Sequence, residues 1–160
     1  MSTTFNPSAT PLASENADAT APAGIDPRGP QFAASLTAVV LVAVLLLPPT
    51  AALVLTAAQA ALFALGAARG VQRTPHAWLF KTLVRPRLSA PTELEAPEPP
   101  RFAQAVGLGF TVVALVAYAA GGVVVAQTAI GFALVAALLN AVFRFCLGCE
   151  MYLLFRRAAA

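Results

Sequence analysis

The sequence predicts an all-α protein: a four-helix transmembrane bundle made of two helical hairpins, with a short interfacial helix in the loop between them. Three observations predict it. The chain is 59% hydrophobic and only 11% charged, where a soluble domain carries about 25% charge. No charged residue occurs from Phe32 to Ala68, nor from Phe102 to Phe143. Each of these runs is interrupted near its middle, by Pro48-Pro49 and by Gly121-Gly122. A hydrocarbon core of roughly 30 Å takes about 20 helical residues, so each run holds two spans. One helix of about 40 residues would be about 60 Å long, twice the hydrocarbon thickness. The spans also lack the polar faces that a soluble helical core would need.

The elements follow in order. Residues 1–25 carry no Lys or Arg and are rich in Ser, Thr, Ala, Asn and Pro, with Glu15 and Asp18. Such a composition buries too little apolar surface to offset its ordering entropy, so a disordered tail is expected rather than a secretory signal. A single membrane domain is expected over 26–157, with 158–160 as a C-terminal tail. Asp26-Pro27 supplies an N-cap and a first-turn proline for a helix at about 27–47. Proline lacks a donor and clashes with the preceding turn, and glycine adopts the conformations of tight turns. Helices are therefore expected at about 50–69, 101–120 and 123–144, the last with a continuation to 157.

The basic residues orient this layout. Arg28, Arg69, Arg73, Lys81, Arg85, Arg87, Arg101, Arg144, Arg156 and Arg157 all fall on the N-terminal flank, the central loop or the C-terminal tail. Neither hairpin turn has one. Cytoplasmic loops accumulate Lys and Arg, so both termini and the central loop are expected in the cytoplasm, with the chain in the inner (plasma) membrane. Small residues crowd the spans: Ala57, Ala58, Ala60, Ala61, Ala64 and Gly66 in the second, Gly107 and Gly109 in the third. They let helices approach closely in lipid. Gln59, Gln127 and Asn140 are intramembrane polar groups expected to hydrogen-bond between helices; contact with a quinone or an ion is the functional alternative.

Within the central loop, residues 73–87 interleave Arg73, Lys81, Arg85 and Arg87 with Trp78, Phe80 and aliphatic side chains. That pattern suits a short helix at headgroup level, attracted by anionic lipid, and also a docking surface for a cytosolic partner. The stretch is too short for nucleic-acid binding, and the membrane accounts for its positions. Residues 89–100, rich in Pro and Glu, are expected to be extended and solvated. His76 reads as an interfacial side chain. As a metal ligand it would need Cys146 and Cys149, the only companions on that side.

Chemistry concentrates at Cys146-Leu147-Gly148-Cys149, which holds both cysteines of the chain, and at the adjacent Glu150. If the fourth helix runs on, Cys146, Cys149, Glu150, Leu153 and Arg157 share one face. The two α carbons would then lie within disulfide range, with Gly148 permitting the distortion. Thiolates are the reactive species. Arg144 and Arg156-Arg157 favour the thiolate; Glu150 opposes it but can take a proton. Three readings stay open: small packing residues; a pair that cycles between dithiol and disulfide or carries a sulfane sulfur; and half of a zinc or soft-metal site completed by a second subunit. A structural disulfide is disfavoured on a reducing cytoplasmic side, and no cofactor motif is present.

Several separated segments carry a family resemblance: Asp26-Pro27-Arg28-Gly29-Pro30 with Phe32-Ala33, Trp78-Leu79-Phe80, Leu83-Val84-Arg85-Pro86-Arg87-Leu88, Pro100-Arg101-Phe102-Ala103-Gln104, and Phe145 to Tyr152 around the cysteines. Over about residues 25–157 the chain resembles a bacterial membrane family, domain-of-unknown-function family 4395, departing at Gln31 where a basic residue is expected. The resemblance implies an integral membrane protein without an assigned activity. It also implies association with thioredoxin-like proteins and rhodanese-type sulfurtransferases, hence a soluble thiol or sulfur carrier as partner.

The leading expectation is a thiol-active membrane protein in which Cys146 and Cys149 exchange electrons or sulfur with a cytosolic partner, assisted by Glu150. The alternative is a noncatalytic scaffold or accessory subunit with structural cysteines. Transport would need a homo-oligomer to build a pore, since the spans contain no charge. A quinone-linked disulfide reductase shares the helix count and the Cys-x-x-Cys, but the sequence shows one cysteine pair and no quinone site.

Overall fold

The computed structural model describes residues 24–159; of the expected tail, residues 1–23 lie outside them. The fold is all-helical. Four long helices are α1 (Arg28–Leu46), α2 (Pro49–Arg69), α4 (Glu98–Ala119) and α5 (Val123–Phe143); the short α3 (Pro75–Leu79) lies in the central loop and α6 (Leu147–Ala158) follows the bundle. The four long helices have 19 to 22 residues, about 28–33 Å at 1.5 Å per residue. They are long and apolar enough to cross a membrane, which marks a multi-pass membrane protein.

Local chemistry sets the ends of these helices. At α1, Asp26 Oδ1 accepts the Arg28 N–H at 3.0 Å and the Asp26 carbonyl accepts the Gly29 N–H at 3.0 Å. Donors at a helix start have no partner within the helix, and this arrangement satisfies two of them. Pro48 ends α1 and Pro49 opens α2, where a missing N–H costs nothing. Gly70, at φ 89°, ends α2. Gly121, at φ 77°, turns the chain from α4 to α5, a conformation that glycine reaches without penalty.

Around the bundle, α1 packs on α2 and α5, and α4 packs on α2 and α5, so α1 and α4 stand diagonally. The expected close approaches occur, but selectively. A methyl group on Gly107 would sit 2.8 Å from the Phe63 ring, whereas one on Gly109 would meet nothing within 4 Å. The solid core lies toward the hairpin turns, where Leu41, Val44 and Ala52 meet Ala114, Tyr118, Ala126 and Ile130. Toward the other end, which carries every basic residue, the bundle is hollow.

Three expectations are corrected. Residues 98–100 are not extended: Glu98, Pro99 and Pro100 form the first turn of α4. The segment before them is exposed but tied down, because Ile25 and Glu95 exchange two backbone hydrogen bonds of 2.8 and 2.9 Å. Ile25 is 4% exposed, so the ordered unit includes a residue assigned to the tail. Finally, the fourth span does not run on to 157. It stops at Phe143, Arg144 takes the left-handed conformation at φ 57°, and α6 begins separately and extends through Ala158.

The central loop is helical over most of 73–87. Thr74 Oγ1 accepts the Ala77 N–H at 3.3 Å, Pro75 opens α3, and wider and tighter turns continue to Arg87. Phe80 is buried beside Phe32, with ring centroids 5.8 Å apart. Trp78 and Leu83 point outward and are exposed, as an interfacial segment requires.

Candidate functional site

Cys146 caps α6. The break at 144–146 releases it from α5: the Arg144 and Phe145 N–H groups close onto the Asn140 and Leu139 carbonyls at 3.1 and 3.2 Å. Cys146 is extended, at φ −85° and ψ 96°. Its Sγ accepts the Cys149 N–H at 3.3 Å, and its carbonyl accepts the Glu150 N–H at 3.0 Å. The sulfur thus occupies the place of a capping oxygen at the positive end of a helix dipole.

Cys146 and Cys149 are joined as a disulfide with α carbons 5.2 Å apart. An extended residue followed by a helical turn brings the two sulfurs together; the expectation disfavoured only a structural role for such a bond. The cross-link closes a loop of four residues inside one element. The entropy removed from an unfolded chain grows with loop length, so this bond is weakly suited to a structural role. Nor does it tie α6 to another helix.

Gly148 does that work. It is buried, and a methyl group built on it would lie 2.7 Å from both the α carbon and the β carbon of Ala103. The glycine lets α6 lie against the backbone of α4; it is not there to relax the cysteine turn. Phe102 completes the seam, with its ring 5.7 Å from Tyr152 and 6.2 Å from Phe155.

Beside the disulfide is an open cleft of about 690 Å³, lined by both cysteines, Glu150 and Leu153 from one side and by Arg28 and Arg144 from others. Four of the five residues expected on a common stripe therefore face one space, despite the broken helix; Arg157, exposed near the end of α6, is not among them. Gln31 lines the same cleft and donates through Nε2 to the Ala141 carbonyl at 2.9 Å, joining α1 to α5.

An ion-pair network missed in the sequence braces the cleft. Arg28 donates Nε and Nη2 to the two oxygens of Asp26 at 2.9 and 2.8 Å, and its Nη2 also reaches the Ser89 carbonyl at 3.0 Å. Arg85 lies 3.6 Å from the same carboxylate. The Arg28 hydrogen bond holds the Asp26 carboxyl below its ordinary value; burial opposes this, and Arg85 adds to it. The signal was the D-P-R triplet, read only as a cap. Arg101 acts similarly, donating Nε to the Ala67 carbonyl at 2.6 Å and Nη2 to Ala68 at 2.9 Å. It satisfies the orphan carbonyls at the end of α2.

Two hollows extend inward. A void of about 200 Å³ reaches Cys146 and is walled by apolar residues including Phe63, Phe110 and Met151. A cavity of about 490 Å³ lies between α1, α2 and the central loop and is lined by Gln59 and His76. His76 thus opens on a different space from the cysteines, and burial pushes its imidazole below the ordinary value. Among the described residues no three His, Cys, Asp or Glu side chains converge on a point. The expected interhelical hydrogen bond of Gln59 is not made: both amide atoms are buried without a partner among the described residues. Gln127 is exposed on the bundle surface, and Asn140 faces both the cleft and the void.

The model of the family described as Domain of unknown function (DUF4395) matches residues 25–157. The chain belongs to that family. The match takes in the Asp26 network, the central loop and the whole cysteine segment, so these are parts of the family's domain. No curated protein and no solved structure matches the chain.

Proposed function

We propose that Cys146 and Cys149 form a thiol–disulfide or sulfur-exchange centre that serves a soluble thioredoxin-like or rhodanese-like partner. The single observation that carries this reading is a disulfide at the start of α6 that lines an open cleft at the basic end of the bundle. All ten basic residues belong to elements at that end, so the cleft is assigned to the cytoplasmic side of the inner membrane, together with both termini.

In the reduced form Cys146 is the attacking sulfur. The Cys149 N–H and the helix dipole favour its thiolate. It attacks a partner disulfide, forming a mixed disulfide and releasing one partner thiolate. Cys149 then attacks Cys146 Sγ, closing the bond seen here and releasing the second partner thiolate. Glu150, exposed in the same cleft, takes the Cys149 proton. With a persulfide donor, Cys146 instead receives the outer sulfur and the donor leaves as a thiolate.

The test is trapping. Cys149→Ser should accumulate a mixed disulfide through Cys146, and Cys146→Ser should form none. If both variants keep full function in cells, the thiol reading fails. Copurification with another membrane protein, unchanged by either substitution, would favour the accessory-subunit role.

A further inference from the structure

Gln59 lies near the middle of α2 and is 1% exposed, yet neither its Oε1 nor its Nε2 has a partner among the described residues. A helix in lipid rarely leaves such a group alone, because nothing in the surrounding hydrocarbon can pair with it. The side chain lines the cavity of about 490 Å³, which falls in the range of small-molecule sites. A second carboxamide, Gln104, lines the same cavity, and Leu62 and Phe80 contribute apolar walls. The cavity also shares Pro30, Thr37 and Gln104 with the void that reaches Cys146. These three residues stand between the two spaces, so the cavity beside the unpaired amide adjoins the void that reaches Cys146.

The chemistry of the lining selects the occupant. Neither carboxamide carries charge. The two cations of the lining, Lys81 and Arg85, belong to the central loop, whereas Gln59 sits at the middle of the α2 span. Arg85 is paired with Asp26 at 3.6 Å, and Gln59 Oε1 would repel an anion. A neutral ring with carbonyl and hydroxyl forms fits both atoms: its carbonyl accepts from Nε2, and its hydroxyl donates to Oε1. We propose that this hollow binds a membrane quinone, with Gln59 holding the oxygen of the ring.

The binding stands on the cavity alone. Its redox use rests on the thiol reading above and names the second substrate of that centre. The Cys146 and Cys149 thiols lose two electrons and two protons, and one S–S bond forms. The quinone gains both and becomes a quinol with two O–H bonds.

The experiment uses the full chain in lipid nanodiscs with an azido-benzoquinone photoprobe and decyl-ubiquinone as competitor. Competed labelling is expected on the α2 and α4 peptides around Gln59 and Gln104. Gln59→Leu should cut it at least tenfold while raising the thermal midpoint of the unloaded protein, because an unpaired buried amide is removed. Gln59→Asn, which keeps a shorter amide, should retain part of the labelling. Labelling that decyl-ubiquinone does not compete, or that is equal in wild type and Gln59→Leu, overturns the site. Cys146→Ser should bind the probe normally and fail to reduce quinone anaerobically. Pre-reduced wild type that binds quinone without forming quinol overturns the redox step. Competed labelling with no trapped mixed disulfide sinks the soluble-partner reading and leaves the quinone site standing.

Discussion

Gly148→Ala should undock α6 from the bundle and with it the cysteine pair. The added β carbon would sit 2.7 Å from the α carbon and β carbon of Ala103. Ordinary carbon contacts lie at about 3.5–4.0 Å, so the two helices must separate by roughly 1 Å. The obstacle is the backbone of α4, which cannot rotate aside as a side chain could. Overpacking of this kind costs about 1–3 kcal/mol. The loss is local because one seam bears it, and it should shift the docked–undocked equilibrium about 5- to 150-fold. Amide hydrogen exchange in α6 should accelerate by that factor while exchange in α1 and α5 stays unchanged. Adding Ala103→Gly removes one of the two close contacts and leaves the α carbon, so rescue should be partial. Unaltered α6 exchange in Gly148→Ala would refute the close approach and the claim that Gly148 places the disulfide.

The series Gly148→Ala, Gly107→Ala, Gly109→Ala should fall in that order of cost by thermal unfolding in detergent. Gly107 meets the tip of the Phe63 ring beside a void, and Gly109 meets nothing, so the last should be neutral or gain about 0.5–1 kcal/mol from helix propensity. Asp26→Asn should cost about 1.5–3 kcal/mol near neutral pH, the worth of hydrogen bonds to a charged group. The folded Asp26 pKa lies below the ordinary 3.8, so the unfolded chain takes up the proton first. Its contribution is complete above that value and is lost as the pH falls through the folded pKa, so the gap between wild type and Asp26→Asn in pH-dependent melting should close under acid. A membrane-impermeant maleimide should label reduced Cys146 from the basic face only. Labelling from the opposite face would overturn the assigned orientation.

Much of the fold was legible because its signals are local. Two charge-free runs broken by Pro48-Pro49 and Gly121-Gly122 are enough for four spans, since lipid penalises any other use of that length. The interfacial segment around Trp78 was readable from its alternation of basic and apolar residues. The cysteine pair was readable as the candidate site, but its setting was not. Arg144 is not a glycine, and a left-handed arginine gives no warning in a string of letters. The D-P-R triplet looked like a cap because Ser89 and Arg85, which complete its network, lie far along the chain.

The sequence by itself determined the number of spans, the side that carries the positive charge and the residues of the candidate site, because composition and spacing act within a few turns of one helix. The tertiary structure decided the rest. Ala103 lies far from Gly148 in the chain, and only their meeting explains the glycine and seats α6, with Cys146 as its cap. Gln59 is unpaired only because of what α1, α4 and the central loop leave around it. Whether a polar side chain finds a partner is a property of the helices that face it, and no pattern along its own helix records that.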